Sequence, residues 1–269
     1  MTEARAARLA RWYDLDLLDD PGDLALYQAL AAQADGPVLE LAAGSGRIAV
    51  PLACAGHAVT ALDNDAGMLA RCAAAWATAR GRRPAEGLAC VHADLRDARL
   101  GASFALVILA QNAIALLPDA AGRQAAFATV AAHLAPGGRV VADLLLPSAA
   151  ELSEHDGRVR LEWLRPDPET GESVAKLTAA RHDAALRVTE LVQVFDATPA
   201  DGGPVHRTTR TDRIALLSAD ELVGLADGAG LVVETLAGDL DLSPFGSGAE
   251  RVVLVARRPS VPARRGARA

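Results

Sequence analysis

The sequence has 269 residues, of which 51% are hydrophobic and 23% charged, and its formal net charge is −7. This length suits one large domain, or one domain that carries an inserted segment. There is no run of 18 apolar residues, and the first twelve residues are polar and contain arginine. We therefore expect neither a membrane span nor a secretory signal.

The charge is distributed unevenly. Residues 257–269 contain five arginines and no acid, so removing them from the total of −7 leaves −12 for the rest of the chain. An acidic body repels phosphate backbones, which argues against a nucleic-acid substrate. Residues 259–269 show no periodicity and are predicted to form a disordered basic tail.

The three cysteines, Cys54, Cys72 and Cys90, have no metal-type spacing and fall inside predicted helices or strands. Free buried thiols in a reducing compartment are expected, which predicts a cytoplasmic location. No other cluster of metal-ligating residue types is present, so no metal site is predicted.

Two helices, at residues 1–12 and 22–34, are predicted before the first strand. Val38-Leu39-Glu40-Leu41 then reads as a buried strand, followed by the small-residue turn Ala42-Ala43-Gly44-Ser45-Gly46. Small residues at 42, 44 and 46 allow a ligand to approach the backbone closely. Such a turn is typical of a nucleotide-like cofactor bound at the carboxyl edge of a parallel sheet.

The same alternation continues along the chain. Further strands are predicted at 58–63, 88–94, 104–110 and 139–145, and helices at 46–55, 65–80 and 119–134. Acid or amide side chains stand at the carboxyl ends of four of the five strands, among them Asp63, Asp94 and the pair Gln111-Asn112. Buried strands that alternate with helices predict a parallel sheet covered on both faces.

The pattern changes after Pro147. Apolar and polar residues alternate from about 158 to 217, between turn signals, which predicts about four antiparallel strands. Ser218-Ala219-Asp220-Glu221 then forms a capping box that restarts helical structure. Closing strands at 231–237 and 250–257 complete a seven-stranded sheet. We therefore divide the chain into a cofactor-binding domain (1–146 and 218–258), an inserted antiparallel β lid (147–217) and the tail (259–269).

These motifs resemble those of the class I S-adenosylmethionine-dependent methyltransferases. Glu40-Leu41-Ala42-Ala43-Gly44-Ser45-Gly46 corresponds to the glycine-rich motif, Asp63 to the ribose acid, and Ala93-Asp94-Leu95 to the adenine-side motif. His133-Leu134-Ala135-Pro136-Gly137-Gly138 resembles the turn before strand five. The family usually has glycine at position 42, and the alanine found here narrows the room for the methionine part of the cofactor. The resemblance implies a Rossmann-like α/β fold, a seven-stranded, mostly parallel sheet with helices on both faces.

The resemblance also implies a site for S-adenosylmethionine, which would leave as S-adenosylhomocysteine. Its expected members are Tyr13, Glu40, Ala42, Gly44, Gly46, Asp63, Asn64, Met68, Asp94, Leu95 and Ala110. The backbone at 42–44 would contact the methionine moiety, and Glu40 would fix the loop or the amino group. Asp63 would accept both ribose hydroxyls, Asn64 and Met68 would flank the adenine, and Asp94 with Leu95 would read its edge.

For catalysis the resemblance implies Tyr13, which would close over the sulfonium, and Asn112, which with Ala110 would border the methyl group. His155 is the selected candidate for a base, with His182 and His206 as alternatives in or near the lid. A base is optional, because an amine acceptor only needs to be neutral when it attacks. Along one lid strand, Arg207, Arg210 and Arg213 are candidates for an acceptor carboxylate or for a solvated strand edge.

A lid of this placement implies a small-molecule acceptor, methylated on nitrogen or oxygen, and makes a homodimer plausible. Two alternatives stay open: a cofactor-binding regulatory or structural protein without turnover, and an NAD(P)-dependent oxidoreductase. Gly44-Ser45-Gly46-Arg47-Ile48-Ala49 does fit the dinucleotide fingerprint. However, Glu40 suits a cationic amino-acid moiety better than a pyrophosphate, and no Tyr-x-x-x-Lys pair is present, since Lys176 is the single lysine.

Overall fold

The computed structural model describes residues 3–117 and 119–260. Its helices are α1 (Glu3–Asp16), α2 (Leu24–Ala32), α3 (Ala49–Cys54), α4 (Ala66–Ala79), α5 (Ala120–His133), α6 (Ala149–His155) and α7 (Ala219–Gly228). None of the helices in this part of the chain is both long and apolar enough to cross a membrane. Residues 261–269, most of the predicted basic tail, lie outside the described residues.

Eleven strands are present in the same ranges. They are β1 (Val38–Leu41), β2 (Val59–Asp63), β3 (Leu88–His92), β4 (Phe104–Leu109), β5 (Leu134–Leu145), β6 (Val159–Pro166), β7 (Ser173–Asp183), β8 (Val188–Thr198), β9 (His206–Ala215), β10 (Val232–Ala237) and β11 (Arg251–Arg257). Short 3₁₀ turns lie at 85–87 and 113–116.

Seven strands form one sheet in the order β10-β11-β5-β4-β1-β2-β3. The pairs from β5 to β3 are parallel, whereas β11 is antiparallel to both of its neighbours. Buried apolar side chains cover both faces of this sheet, as the alternation of helices and strands predicted. The strand order reverses between β1 and β4, and open α/β sheets bind ligands at such a reversal.

The insertion forms a separate four-stranded antiparallel sheet in the order β6-β7-β8-β9. Its apolar face packs against α1, where the rings of Trp12 and Phe195 stack with their centroids 5.6 Å apart. Lys176 on β7 also donates to the carboxylate of Asp16 at 2.7 Å. Helix α1 therefore attaches the inserted sheet to the rest of the molecule.

Two elements differ from the predictions. Strand β5 begins at Leu134, before the Pro136-Gly137-Gly138 turn, because Gly137 and Gly138 exchange backbone hydrogen bonds with Arg258. Helix α6 opens the insertion, at residues for which neither a helix nor a strand was predicted. Ser148 caps it, since its hydroxyl accepts from the N–H of Glu151 while the Glu151 carboxylate accepts from the N–H of Ser148.

Asp143 on β5 is fully buried between the sheet and α2. One carboxylate oxygen accepts from the Tyr27 hydroxyl at 2.7 Å and from the N–H of Gln111 at 2.7 Å. The other oxygen pairs with the Arg251 guanidinium. This strand-end acid therefore anchors α2, β11 and the loop after β4 to one another, and it does not face a ligand.

Replacing Asp143 by alanine should lower the free energy of unfolding by about 3–5 kcal/mol, because the Arg251 charge loses its buried partner. Tyr27→Phe is the matched variant: it removes a single hydrogen bond to a charged group and should cost about 1.5–3 kcal/mol. Urea denaturation of both variants measures the difference. Equal losses would mean that the Asp143–Arg251 pair contributes nothing beyond the tyrosine bond.

Candidate functional site

Three residues of the loop after β1 have backbone φ angles in the left-handed region. The φ angles are +58° at Ala42, +55° at Gly44 and +88° at Gly46. Glycine adopts such angles freely, whereas an alanine there is strained by about 1–2 kcal/mol. Ala42 therefore adopts, with strain, the backbone conformation that a glycine at this position would adopt without strain.

Gly44 and Gly46 differ in their surroundings. A Cβ atom at Gly46 would lie 2.5 Å from the sulfur of Cys72, so this residue must be a glycine for packing against α4. A Cβ atom at Gly44 would lie 3.7 Å from Cε1 of Tyr13, which is ordinary contact. Gly44 thus lies close to the ring of Tyr13, whereas Gly46 packs tightly against Cys72 of α4.

Asp63, at the end of β2, is buried and accepts two backbone hydrogen bonds. Its Oδ2 atom accepts from the N–H of Gly44 at 2.8 Å, and its Oδ1 atom accepts from the N–H of Asp65 at 2.8 Å. The carboxylate thus joins the loops after β1 and β2. Each oxygen keeps a second lone pair that can accept from a ligand hydroxyl.

Glu40 lies below the loop and is 3% exposed. Its Oε2 atom has no hydrogen-bond partner among the described residues. Burial raises the pKa of this carboxyl to about 8, although Arg47 and the N–H of Ala49 act in the opposite direction. This site therefore favours the protonated form of Glu40, and a positively charged group bound beside it would favour the carboxylate.

A cavity of about 470 Å³ lies between this loop, α1, the 113–116 turn and β9. This volume falls within the range of small-molecule sites. The predicted residues that line it are Tyr13, Ala42, Gly44, Asp63, Asn64, Met68 and Leu95. Burial raises the pKa of the Tyr13 phenol, which therefore stays protonated at neutral pH.

Four other predicted residues lie outside this cavity. Glu40 is beneath the loop, Ala110 packs beside the core, and Gly46 lines an open groove along α3 and α4. Asp94 is held by Arg96, whose Nε and Nη2 atoms donate to its two oxygens at 2.9 and 2.6 Å. Arg96 also lowers the pKa of Asp94, so an adenine ring would compete with this arginine for the carboxylate.

Asn112 and His155 line a second cavity, of about 450 Å³, on the other side of the 113–116 turn. Gln111 and Asn112 have φ angles of +50° and +60°, which are strained for residues other than glycine. The Oδ1 atom of Asn112 accepts from the N–H of Leu145 at 2.6 Å. Asn112 therefore joins the ends of β4 and β5 where the two cavities approach each other.

Two arginines near the first cavity were not predicted as cofactor-site residues, and Arg210 was named only as a candidate for an acceptor carboxylate. Arg47 is paired in a bidentate manner with the fully buried Asp23, at 2.5 and 2.7 Å. Arg210, on the edge strand β9, lines the cavity itself and donates to Asp212 at 2.9 Å. The sequence offered a signal for Arg47, which directly follows the glycine turn, but the partner Asp23 could not be inferred from spacing.

Among the described residues, no group of three or more histidine, cysteine or acidic side chains is arranged to hold a metal ion. His206 begins β9 and is exposed, and His182 lines the second cavity. Arg207, also on β9, is paired with Asp196 at 2.6 Å and is largely exposed. Of the three arginines considered for an acceptor carboxylate, Arg207 is thus already paired on the surface.

A family model and several solved structures are similar to this chain. Residues 38–138 match a family model described as a methyltransferase domain. This part of the chain, from β1 to the glycine turn within β5, is similar to that domain. The seven-stranded sheet and the inserted antiparallel sheet agree with the class I methyltransferase fold, so the predicted fold is confirmed, and the predicted resemblance to methyltransferases is borne out for residues 38–138. A search of the curated proteins finds no match.

Several solved methyltransferases share the fold along nearly the whole chain. The CcbJ methyltransferase from Streptomyces caelestis is 23% identical, with 90% of this chain and 97% of that chain covered and a TM-score of 0.72. The sugar N-methyltransferase KedS8 from a Streptoalloteichus species is 20% identical, with 92% and 93% covered and a TM-score of 0.70. SAM-bound CalS10, an amino pentose methyltransferase from Micromonospora echinaspora, is 24% identical, with 96% and 97% covered and a TM-score of 0.60.

Gly46→Ala should lower the free energy of unfolding by about 2–4 kcal/mol, because the new methyl group clashes with Cys72 and the backbone angle is strained. Gly44→Ala has the same strain without the clash and should cost about 1–2 kcal/mol. Thermal or urea unfolding of the two variants measures this difference. A Gly46→Ala protein as stable as the Gly44→Ala protein would refute the packing role of Gly46.

Glu40→Gln should change how stability depends on pH. The pKa of Glu40 is raised in the folded protein, so the folded state binds the proton more tightly than the unfolded state does. The contribution of Glu40 to the free energy of unfolding is therefore fully present below its ordinary pKa near 4.5 and is lost as the pH rises to about 8. Relative to the native protein, the variant should therefore gain up to about 1.4 kcal/mol per pH unit within this window. Urea unfolding at pH 5, 6, 7 and 8 checks this, and a constant difference between the two proteins would contradict it.

Proposed function

We propose that this protein transfers a methyl group from S-adenosylmethionine to a nitrogen or oxygen atom of a small molecule. The observation that supports this best is the convergence of the glycine turn, Asp63 and Tyr13 on one cavity of about 470 Å³. The buried carboxyl of Glu40, whose Oε2 atom has no hydrogen-bond partner among the described residues, lies beneath that turn. Together they match a ligand with a diol, a positive charge and a flat ring.

The residues fit the proposed cofactor in three respects. Gly44 and Ala42 leave backbone exposed to the cavity, so a narrow amino-acid chain can lie against them. Asp63 retains lone pairs for two ribose hydroxyls after binding two N–H groups. Glu40 would become a stable carboxylate beside a cationic group, which compensates for its burial.

When bound, the cofactor supplies a methyl group on a positively charged sulfur, which reacts by in-line displacement. The protein's contribution is alignment and a dry site. The neutral phenol ring of Tyr13 would cover the region facing Gly44, exclude water and attract the cation through its π face. Asn112, fixed by the N–H of Leu145, would set the position at which the acceptor meets the methyl group.

The proposed acceptor is a small molecule because the fold neighbours include enzymes of that kind. KedS8 is described as a sugar N-methyltransferase and CalS10 as an amino pentose methyltransferase. Nitrogen acceptors need no strong base, since a neutral amine is already nucleophilic. This agrees with the geometry of His155, whose Nδ1 atom contacts the carbonyl of Glu151 at 2.6 Å and whose Nε2 atom contacts Arg160.

Calorimetric titration with S-adenosylmethionine, S-adenosylhomocysteine and NADH tests the cofactor assignment directly. We expect binding of both sulfur nucleosides and none of NADH. Transfer of a radiolabelled methyl group to a panel of amines and alcohols then separates an enzyme from a binding protein. Binding of NADH alone would overturn the proposal, and tight cofactor binding with no transfer to any acceptor would favour a regulatory role.

Asp63→Asn should weaken S-adenosylmethionine affinity by more than about tenfold, because an amide replaces one acceptor of the ribose diol with a donor. Asp94→Asn is the matched variant, and its effect should be smaller because Arg96 already holds that carboxylate. Calorimetry measures both affinities, and thermal unfolding verifies that both proteins are folded. Unchanged affinity in a folded Asp63→Asn protein would refute the ribose assignment.

A further inference from the structure

The second cavity, of about 450 Å³, is a separate chamber beneath the inserted sheet. Its floor is the end of β5 with Asn112 and Ala115, one wall is α6, and the opposite wall is formed by β7, β8 and β9. Most of the lining is hydrocarbon, contributed by residues such as Leu145, Leu152 and Leu191. This composition suits a ligand with a sizeable apolar body.

Two polar atoms in this lining have no partner. His182 on β7 and Thr189 on β8 are opposite each other in the antiparallel register. The Nδ1 atom of His182 and the Oγ1 atom of Thr189 are both buried without a hydrogen-bond partner among the described residues. A buried polar atom left unpaired is costly, and a pair of them at one point of a cavity wall indicates the place of a ligand's polar group.

The charged side chains around the chamber indicate which kinds of ligand it can bind. Among the described residues that line it there is no arginine or lysine, whereas Glu250 lies exposed at its edge. The other lining acid, Glu151, is engaged in the cap of α6. Carboxylates and phosphates therefore find no arginine or lysine in the lining itself, since Arg160 is held against Nε2 of His155, and a positively charged or neutral donor group finds acceptors.

The chamber adjoins the first cavity through the segment 112–117. Ala113, Leu116 and Leu117 line the first cavity, and Asn112 and Ala115 line the second. The two cavities are thus on opposite sides of one turn of chain, whose first residue is the strained Asn112.

We propose that this chamber is the acceptor site and that it takes a small, largely hydrocarbon amine without a carboxylate or phosphate group. In this assignment the side chains of Thr189 and His182 rotate toward the chamber, the amine donates hydrogen bonds to Oγ1 of Thr189 and Nδ1 of His182, and Glu250 attracts its positive charge on entry. The assignment of the chamber to the acceptor rests on the proposed function. The preference for an amine over an acid rests only on the residues that line the chamber and does not depend on the proposed function.

The first experiment measures binding without turnover. Three isosteric probes, 1-naphthylmethylamine, 1-naphthalenemethanol and 1-naphthoic acid, are titrated into the full-length protein by ligand-observed NMR, with and without S-adenosylhomocysteine. We expect the amine to bind at least about tenfold more tightly than the acid, since only the acid buries a charge without a partner. Equal affinities, or tighter binding of the acid, would overturn the assignment.

Three variants test whether the amine binds in this chamber. Thr189→Val keeps the volume but removes the unpaired hydroxyl, so it should raise the melting temperature of the free protein and weaken amine binding severalfold. Glu250→Lys should weaken the amine and strengthen the acid by about fivefold each, whereas Glu154→Lys, the same charge change on α6 at a residue that does not line the chamber, should do neither. A lower melting temperature with unchanged amine affinity in Thr189→Val would show a purely structural threonine and refute the site.

The outcomes separate this inference from the proposed function. Methyl transfer from S-adenosylmethionine to the naphthylmethylamine nitrogen, lost in step with binding in the Thr189 and Glu250 variants, supports both. Cofactor binding and methyl transfer to other acceptors, with no amine bound in the chamber, would refute the inference and leave the function in place. Amine binding of the expected pattern without any cofactor binding would retain the site and overturn the function.

Discussion

The Asp63 carboxylate is the interaction on which the rest of the site depends. It joins two loops that belong to different strands, because one oxygen accepts from Gly44 and the other from Asp65. Three residues of the loop after β1 have left-handed φ angles, and Ala42 is one of them although it is not a glycine. Such a turn needs an external partner to hold it, and a buried carboxylate that accepts two N–H groups provides that partner.

Helix α1 extends this constraint to the inserted sheet. Trp12 packs on Phe195 of β8, while the next residue, Tyr13, lies close to Gly44 in the wall of the first cavity. Asp14 pairs with Arg71 on α4, and Asp16 pairs with Lys176 on β7. Neighbouring residues of one helix thus contact the lid, the glycine loop and the core, so any movement of α1 would change the cofactor cavity and the lid together.

Much of this arrangement could be predicted from sequence, because periodicity and glycine placement are local properties. The strands and the capping box at Ser218 follow from such patterns, whereas the seven expected residues that line the first cavity were implied by the family resemblance. The surroundings of a strand-end acid cannot be predicted in the same way. Asp143 resembles Asp63 in the sequence, yet it is buried by Tyr27 and Arg251, which are 116 and 108 residues away. Helix α6 was missed because it has seven residues and depends on its cap.

The two cavities also differ in a way that bears on methyl transfer to nitrogen. Both the proposed cofactor and a protonated amine are cationic, and a protonated amine has no lone pair with which to attack. Burial in a chamber lined by leucines disfavours the charged form of an amine and so lowers its pKa. Glu250 is exposed at the edge of the chamber, where it attracts the cation without stabilising it at depth. An apolar chamber can thereby produce the neutral nucleophile by desolvation, which removes the need for a dedicated base and agrees with the engaged nitrogens of His155.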